Sequence, residues 1–232
     1  GVDVTGETSG IFISEEDVKP VDLARIGFGQ AVAVTPIGLL AAACSVVNGG
    51  TLVTPHVLKG VRDTYSGVTA TEEFPSRGKT VSASTSETMR ALLESVVSSG
   101  SGKSAYVPGY RIAGKTGTAQ KYEDGRIAQG KYISSFLGFS LEEEAPYAVL
   151  LLVDEPQGYM YYGSMVAAPL VGDIYEAVFA HLGVRPEFTG EEGGGEGGPD
   201  AELHRGGGHA GGGVVRVVAR HRPSPPVREV PY

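Results

Sequence analysis

A chain of 232 residues with 41% hydrophobic side chains can bury one good core, and its formal charge of −8, with no basic stripe ahead of the tail, disfavours nucleic acid and anionic membrane surfaces as partners. The single cysteine, Cys44, rules out an intramolecular disulfide and a cysteine metal cluster, and the apolar runs 38–47 and 148–153 fall short of the roughly 20 residues that a membrane helix needs. The opening Gly1-Val2-Asp3-Val4 has neither the basic region nor the apolar run of a signal peptide, and without an initial methionine the chain reads as a fragment.

Thr35-Pro36 followed by Ile37, Leu39, Leu40, Ala43, Cys44 and Val47, then Asn48-Gly49-Gly50, supplies an N-cap, a proline in the first turn and a glycine stop, which predicts a buried helix. Residues 51–62 are rich in Val, Leu and Thr and predict short extended pieces, with a turn at Tyr65-Ser66-Gly67. Ser84-Thr85-Ser86-Glu87 has the spelling of a capping box, and Met89, Leu92, Leu93, Val96 and Val97 recur at helical spacing, so a second helix should run to Ser98-Ser99-Gly100. Residues 110–121 and 132–140 flank Glu123-Asp124-Gly125 and predict an antiparallel hairpin. Residues 147–153, bounded by Pro146 and Pro156, form a continuous apolar run expected to be a central strand. Val171, Ile174, Tyr175, Val178, Phe179 and Leu182 then mark a last helix, stopped by Gly183, whose apolar face can pack on that sheet. Twelve of the 24 residues from 190 to 213 are glycine, so this stretch cannot bury enough apolar surface to offset its ordering entropy. The foldable part is therefore expected to be residues 1–186, and residues 187–232 a Gly-rich and then Arg/Pro-rich linker.

One stretch supports two incompatible chemistries. Gly109-Tyr110-Arg111-Ile112-Ala113-Gly114-Lys115-Thr116 matches the phosphate-binding pattern G-x-x-x-x-G-K-[ST], and Asp154-Glu155 after an apolar strand could hold magnesium in such a P-loop NTPase. That reading needs a flexible loop and a helix starting at the Lys-Thr pair, whereas Tyr-Arg-Ile-Ala prefers a pleated strand and Asp124-Gly125 turns the chain before a helix could grow. Ser101-Gly102-Lys103-Ser104 lacks the first glycine and is weaker still. The competing reading sets Lys115-Thr116-Gly117-Thr118 on a strand. Alone, such a strand is most often a solvated face with bulge glycines. Asp154 and Glu155 then cap a strand end, His56 is a loop histidine, Cys44 belongs to the core, and His204 and His209 lie in the glycine-rich tail; no metal or cofactor is expected.

The motifs go beyond Lys-Thr-Gly. Gly29-Gln30, Val34-Thr35-Pro36, Asn48-Gly49-Gly50-Thr51-Leu52, Pro55-His56, Gly109-Tyr110, Ser135-Phe136-Leu137-Gly138-Phe139 and Val153-Asp154-Glu155-Pro156 follow one another as in the class B penicillin-binding proteins, and residues 1–186 resemble the C-terminal part of their transpeptidase domain. Within that class the chain is most similar to bacterial elongation, division and sporulation transpeptidases. The resemblance implies an α+β fold of the serine β-lactamase/transpeptidase type, with antiparallel strands and packing helices. It implies serine acyl transfer between peptidoglycan stem peptides, with β-lactam antibiotics as substrate mimics and other cell-wall synthesis proteins as further partners. It also implies a place at the extracytoplasmic face of the cell membrane, with the anchor upstream.

By the same resemblance, Lys115 supplies positive charge beside the nucleophile and the substrate carboxylate, and Thr116 offers that carboxylate a hydroxyl. Gly117 leaves room for the substrate backbone. Thr118 gives a backbone N–H to the oxyanion hole and a hydroxyl to the carboxylate, while Gln120 reads equally as a substrate contact and as a solvent-facing strand residue. The family's other two signatures, Ser-x-x-Lys and Ser-x-Asn, are not met credibly. Ser76-Arg77-Gly78-Lys79 has the first spelling but is flanked by Pro75 and interrupted by Gly78, and the only asparagine is Asn48, with Val46 two residues before it. The nucleophile is therefore expected upstream of Gly1, and the chain alone inactive; residues 1–7 resemble the stretch that follows the second signature. A β-lactam sensor or hydrolase of the same fold remains the alternative, and residues 227–232 resemble the lead into a PASTA-type wall-binding module.

Overall fold

The computed structural model describes residues 2–27, 29–123, 126–187 and, by backbone alone, 214–220. The proposed turn at Asp124-Gly125, His204, His209 and residues 227–232 lie outside them. The described residues divide into two compact units, one up to Arg90 and one from Ala91 to Arg220.

In the first unit a short helix α1 (Pro20–Ile26), absent from the sequence reading, precedes α2 (Pro36–Val47). The Thr35 hydroxyl accepts from the Gly38 N–H at 3.2 Å, Pro36 opens the first turn, and Leu40, Cys44 and Val47 are buried, so the expected cap and apolar stripe are both present. The helix stops at buried Asn48, whose side chain donates to Thr51 O and accepts from Thr51 N, both at 2.8 Å, while Gly49 and Gly50 take φ of 85° and 90°. A Cβ on Gly50 would run into the Val81 carbonyl, so glycine is required there twice over. Strands β1 (Gly60–Arg62) and β2 (Thr69–Thr71) pair antiparallel around the expected turn, which Asp63 closes by accepting from the N–H groups of Tyr65 and Ser66.

Helix α3 (Ala83–Ser98) begins earlier than the proposed capping box. Its cap is Ser82, whose hydroxyl accepts from Thr85 N at 3.1 Å, so Ser84 lies inside the first turn; among the serines near the start, the one three residues ahead of a free N–H wins.

The second unit is built on a four-stranded antiparallel sheet in the order β3 (Ile112–Glu123), β4 (Arg126–Ser140), β5 (Tyr147–Asp154), β6 (Val214–Arg220). The expected hairpin exists, with Lys115 paired to Leu137 and Gln120 to Tyr132, and a bulge falls between Gln120 and Tyr122. Strand β6 lies in the stretch read as linker; its Val-Val-Arg-Val-Val run is a strand signal that the surrounding glycines and prolines outweighed in composition.

Helices α4 (Gly163–Val166) and α5 (Ala168–Leu182) follow β5, and α5 lays Val171, Tyr175 and Phe179 into a core with Ile112, Phe136, Val149 and Leu151. The helix crosses β4 at Gly138, where a Cβ would sit 2.9 Å from both Val171 Cγ1 and the Tyr175 ring. By length and composition alone the run Gly163–Leu182 could cross a bilayer, a stretch longer than the apolar runs seen in sequence. The core burial of Val171, Tyr175 and Phe179 accounts for its composition. Tyr110 stacks on Phe179 at 4.4 Å and donates to Val184 O at 3.0 Å, tying the approach to β3 to the end of α5.

Candidate active site

Gly109 to Thr116 forms no phosphate loop. Strand β3 is already extended at Ile112, Lys115 and Thr116 sit in mid-strand opposite Leu137 and Phe136, and Asp154 and Glu155 hold an amine instead of facing a loop. The P-loop NTPase alternative is overturned by that geometry, because no helix starts at the Lys-Thr pair to receive a phosphate.

Strand β3 is the edge of its sheet among the described residues, so one row of its backbone groups has no partner strand. The alternation of the strand sets Thr116, Thr118 and Gln120 on one face and Lys115 and Gly117 on the other. Along this edge Lys115, Thr118 and Gln120 are exposed and Thr116 and Gly117 half-buried. The Lys115 amine donates to Thr116 O at 2.7 Å. N–H and C=O of one strand residue point the same way and repeat every second residue, so the Thr118 N–H shares the side of the Thr116 carbonyl.

The two threonine hydroxyls each meet a partner absent from the sequence reading. Thr116 Oγ1 lies 3.4 Å from Ser101 Oγ, in the Gly100-Ser101-Gly102 turn after α3. Thr118 Oγ1 accepts from the Gly163 N–H at 3.1 Å. Opposite these residues on β4, buried Ser134 donates from its hydroxyl to Tyr161 O, and a Cβ on Gly117 would strike Ser135 Oγ. Gly163 is equally confined, since a Cβ there would collide with the carbonyls of Gly117 and Ser135. The Gly-Ser-Gly turn and the Tyr161-Tyr162-Gly163 sequence were the available signals, but neither says which strand it will touch.

At the far end of β3 the bulge turns Lys121 onto β5, where its amine meets Glu155 at 2.7 Å and Asp154 at 3.0 Å. Hydrogen bonding to Glu155, then to Asp154, holds the Lys121 amine above the usual lysine range. The carboxylates therefore cap the strand end, as their position after the apolar run suggests. Glu155 has φ of 49° and its N–H donates to Tyr132 O at 2.9 Å. The Tyr132 ring stacks on Tyr161 at 4.1 Å, and Tyr161 donates to the Tyr162 hydroxyl at 3.1 Å; that bond heads the causes that push the Tyr161 phenol up to about 12.

Elsewhere, His56 stacks on Phe74 at 3.9 Å with Nδ1 3.0 Å from Thr54 O, an ordinary loop histidine. Burial pushes the Cys44 thiol up to about 12. Ser76 lies outside any helix, Gly78 takes φ of 107°, and the Lys79 amine is engaged by Gly49 O and Thr51 Oγ1, both at 2.9 Å, so the serine and lysine of that spelling do not form a helix-borne pair.

The family model described as the penicillin binding protein transpeptidase domain matches residues 1–176. Stage V sporulation protein D of Bacillus subtilis is 43% identical over 187 residues, which cover 80% of this chain and 29% of that protein. Peptidoglycan D,D-transpeptidase FtsI of Escherichia coli is 30% identical over 186 residues, covering 79% of this chain and 30% of that one. Among solved structures, penicillin binding protein 3 of Mycobacterium tuberculosis complexed with ampicillin matches with a TM-score of 0.72 at 27% identity over 84% of this chain and 44% of that chain. The chain thus spans about 30% of the length of these curated relatives.

Proposed function

The chain belongs to the penicillin binding protein transpeptidase domain family, and from that premise we propose that it forms one wall of the acyl-transfer site of a peptidoglycan D,D-transpeptidase. The observation that carries this reading is the edge strand β3, which offers Lys115, Thr116, Gly117 and Thr118 along an unpaired backbone row. An extended peptide can add to such an edge, with Gly117 free of a side chain at the point of closest approach. Thr116 and Thr118, two residues apart on one face, direct hydroxyls at a substrate carboxylate, and Lys115 adds positive charge that a neighbouring serine and that carboxylate both need. The Thr118 N–H becomes one donor of an oxyanion hole, worth about 10²–10³ in rate for such groups. Gln120, exposed one step beyond, contacts the trailing part of the peptide.

In this reaction a serine attacks the D-alanyl-D-alanine carbonyl, D-alanine leaves, and an amine of a second stem takes the acyl group. The serine belongs to a part of the parent protein outside these 232 residues, and that parent works at the outer face of the cell membrane on peptidoglycan stems. The ampicillin complex of a similar protein supports β-lactams as ligands of this domain.

The test uses the parent protein with a fluorescent penicillin and denaturing electrophoresis. A stoichiometric band that persists for hours, and that Lys115→Met weakens while leaving the melting temperature unchanged, is the expected result. A label lost within minutes would favour a hydrolase, and a Lys115→Met protein labelled at the parent's rate would remove β3 from the site.

A further inference from the structure

We propose that buried Ser134 and the turn at residues 161–163 fix the direction of the Thr118 hydroxyl proton, making this hydroxyl a dedicated donor that selects ligands bearing a carboxylate. The proposal rests on the reading of β3 as the substrate strand and adds residues from β4 and from the β5–α4 connection that no part of that reading requires.

A threonine hydroxyl has one proton and two lone pairs, and it rotates to suit its neighbours. Here the Gly163 N–H occupies one lone pair of Thr118 Oγ1 at 3.1 Å. A hydroxyl that accepts from behind cannot aim its own proton in that direction, so the proton turns towards the exposed side of Thr118. An arriving carboxylate oxygen finds a donor there; an ester or an amide N–H finds a weaker partner or a repulsive one.

Thr118 can be held this way only if the Gly163 N–H is itself held. Glycine at 163 lets the backbone close on the carbonyls of Gly117 and Ser135, which any Cβ would strike. Two residues before Gly163, the Tyr161 carbonyl accepts from the hydroxyl of Ser134, which is 0% exposed. The Tyr161 ring lies stacked on Tyr132, 4.1 Å between centroids and 15° from parallel. Ser134 faces Thr118 directly across the β3–β4 pair, so one strand register aligns the hydroxyl that binds and the hydroxyl that holds its partner. Ser134 is thus a positioning residue, acting on the ligand through Tyr161, Gly163 and Thr118 in turn.

The experiment measures second-order acylation of the parent protein by benzylpenicillin and by its methyl ester, for Ser134→Ala, Thr118→Val and the double variant. Ser134→Ala should slow acylation by the free acid about fivefold to tenfold, the usual scale for one orienting hydrogen bond, and leave the ester rate unchanged. In the Thr118→Val background it should have no further effect on the acid. Tyr161→Leu, which removes the stack but no buried hydroxyl, should reproduce the acid-selective loss, and it carries the test if Ser134→Ala fails to fold. Equal losses for acid and ester, or losses that add to that of Thr118→Val, would overturn the proposal and leave Ser134 a packing residue. If Thr118→Val itself leaves the acid rate intact while Lys115→Met does not, this proposal fails and the wider reading of β3 stands; if neither variant changes the rate, both fail.

Discussion

Thr116 contributes a hydroxyl whose contact with Ser101 Oγ, at 3.4 Å, is too long to hold it firmly, so it can turn to a ligand. In the parent protein Thr116→Val should slow acylation by benzylpenicillin roughly ten- to hundredfold, since losing one hydrogen bond to a charged group costs about 1.5–3 kcal/mol. Unchanged rates would show that Thr116 does not touch the ligand. Cys44 gives a residue-scale prediction of a different kind. Desolvation raises its thiol from 9.0 to about 12, so the folded protein keeps its proton where the unfolded chain loses it. The contribution to stability is full below pH 9 and is lost as pH climbs from about 9 through 12, because the unfolded state binds fewer protons across that window. Alkylation by iodoacetamide at pH 8 should therefore require unfolding, and prompt native-state labelling would contradict the burial of Cys44.

At the scale of elements, the hairpin β3–β4 shows how closely the strand backbones and side chains are fitted. A Cβ on Gly117 would strike Ser135 Oγ, so Gly117→Ala should lower stability by about 1–3 kcal/mol, the usual cost of overpacking, and Ser135→Ala should recover most of it. Additive losses in thermal melts of the double variant would mean the strain lies in the backbone instead. The pairing of these two segments was legible beforehand because β-prone residues lie on both sides of a turn, while the residue-by-residue register came only with the structure. Helix α2 was equally legible, since Thr35, Pro36 and Asn48 mark both its ends. The start of α3 was not: four hydroxyl residues at 82, 84, 85 and 86 compete, and only the backbone path selects Ser82. Neither α1 nor α4, each under two turns long or close to it, repeats a hydrophobic period often enough to stand out. The site divides the same way. Lys115 to Thr118 announce themselves by motif, whereas Ser101, Ser134 and Gly163 reach β3 through tertiary contacts that no local pattern encodes.

At the scale of the whole chain, the proposed reading makes these residues one wall of an active site whose nucleophile lies elsewhere in the parent protein, and that can be measured directly. Acyl transfer needs an activated hydroxyl within about 3–3.5 Å of the reacting carbonyl. Of the serines present, Ser76 alone has a lysine three residues on. It lies outside any helix, with Gly78 at φ 107° between it and Lys79, so the pair does not share a helix face. The Lys79 amine is bound by Gly49 O and Thr51 Oγ1 and fastens the loop after α2. An oxyanion donor such as the Thr118 N–H stabilises a tetrahedral intermediate but cannot generate one. The isolated 232-residue chain is therefore expected to form no covalent adduct with a fluorescent penicillin, while a version extended to include the family's Ser-x-x-Lys is labelled stoichiometrically. Denaturing electrophoresis of the two side by side reads the outcome. A stoichiometric band on the short chain that disappears on Ser76→Ala would place the nucleophile inside these residues and overturn the assignment of β3 as a wall completed from elsewhere.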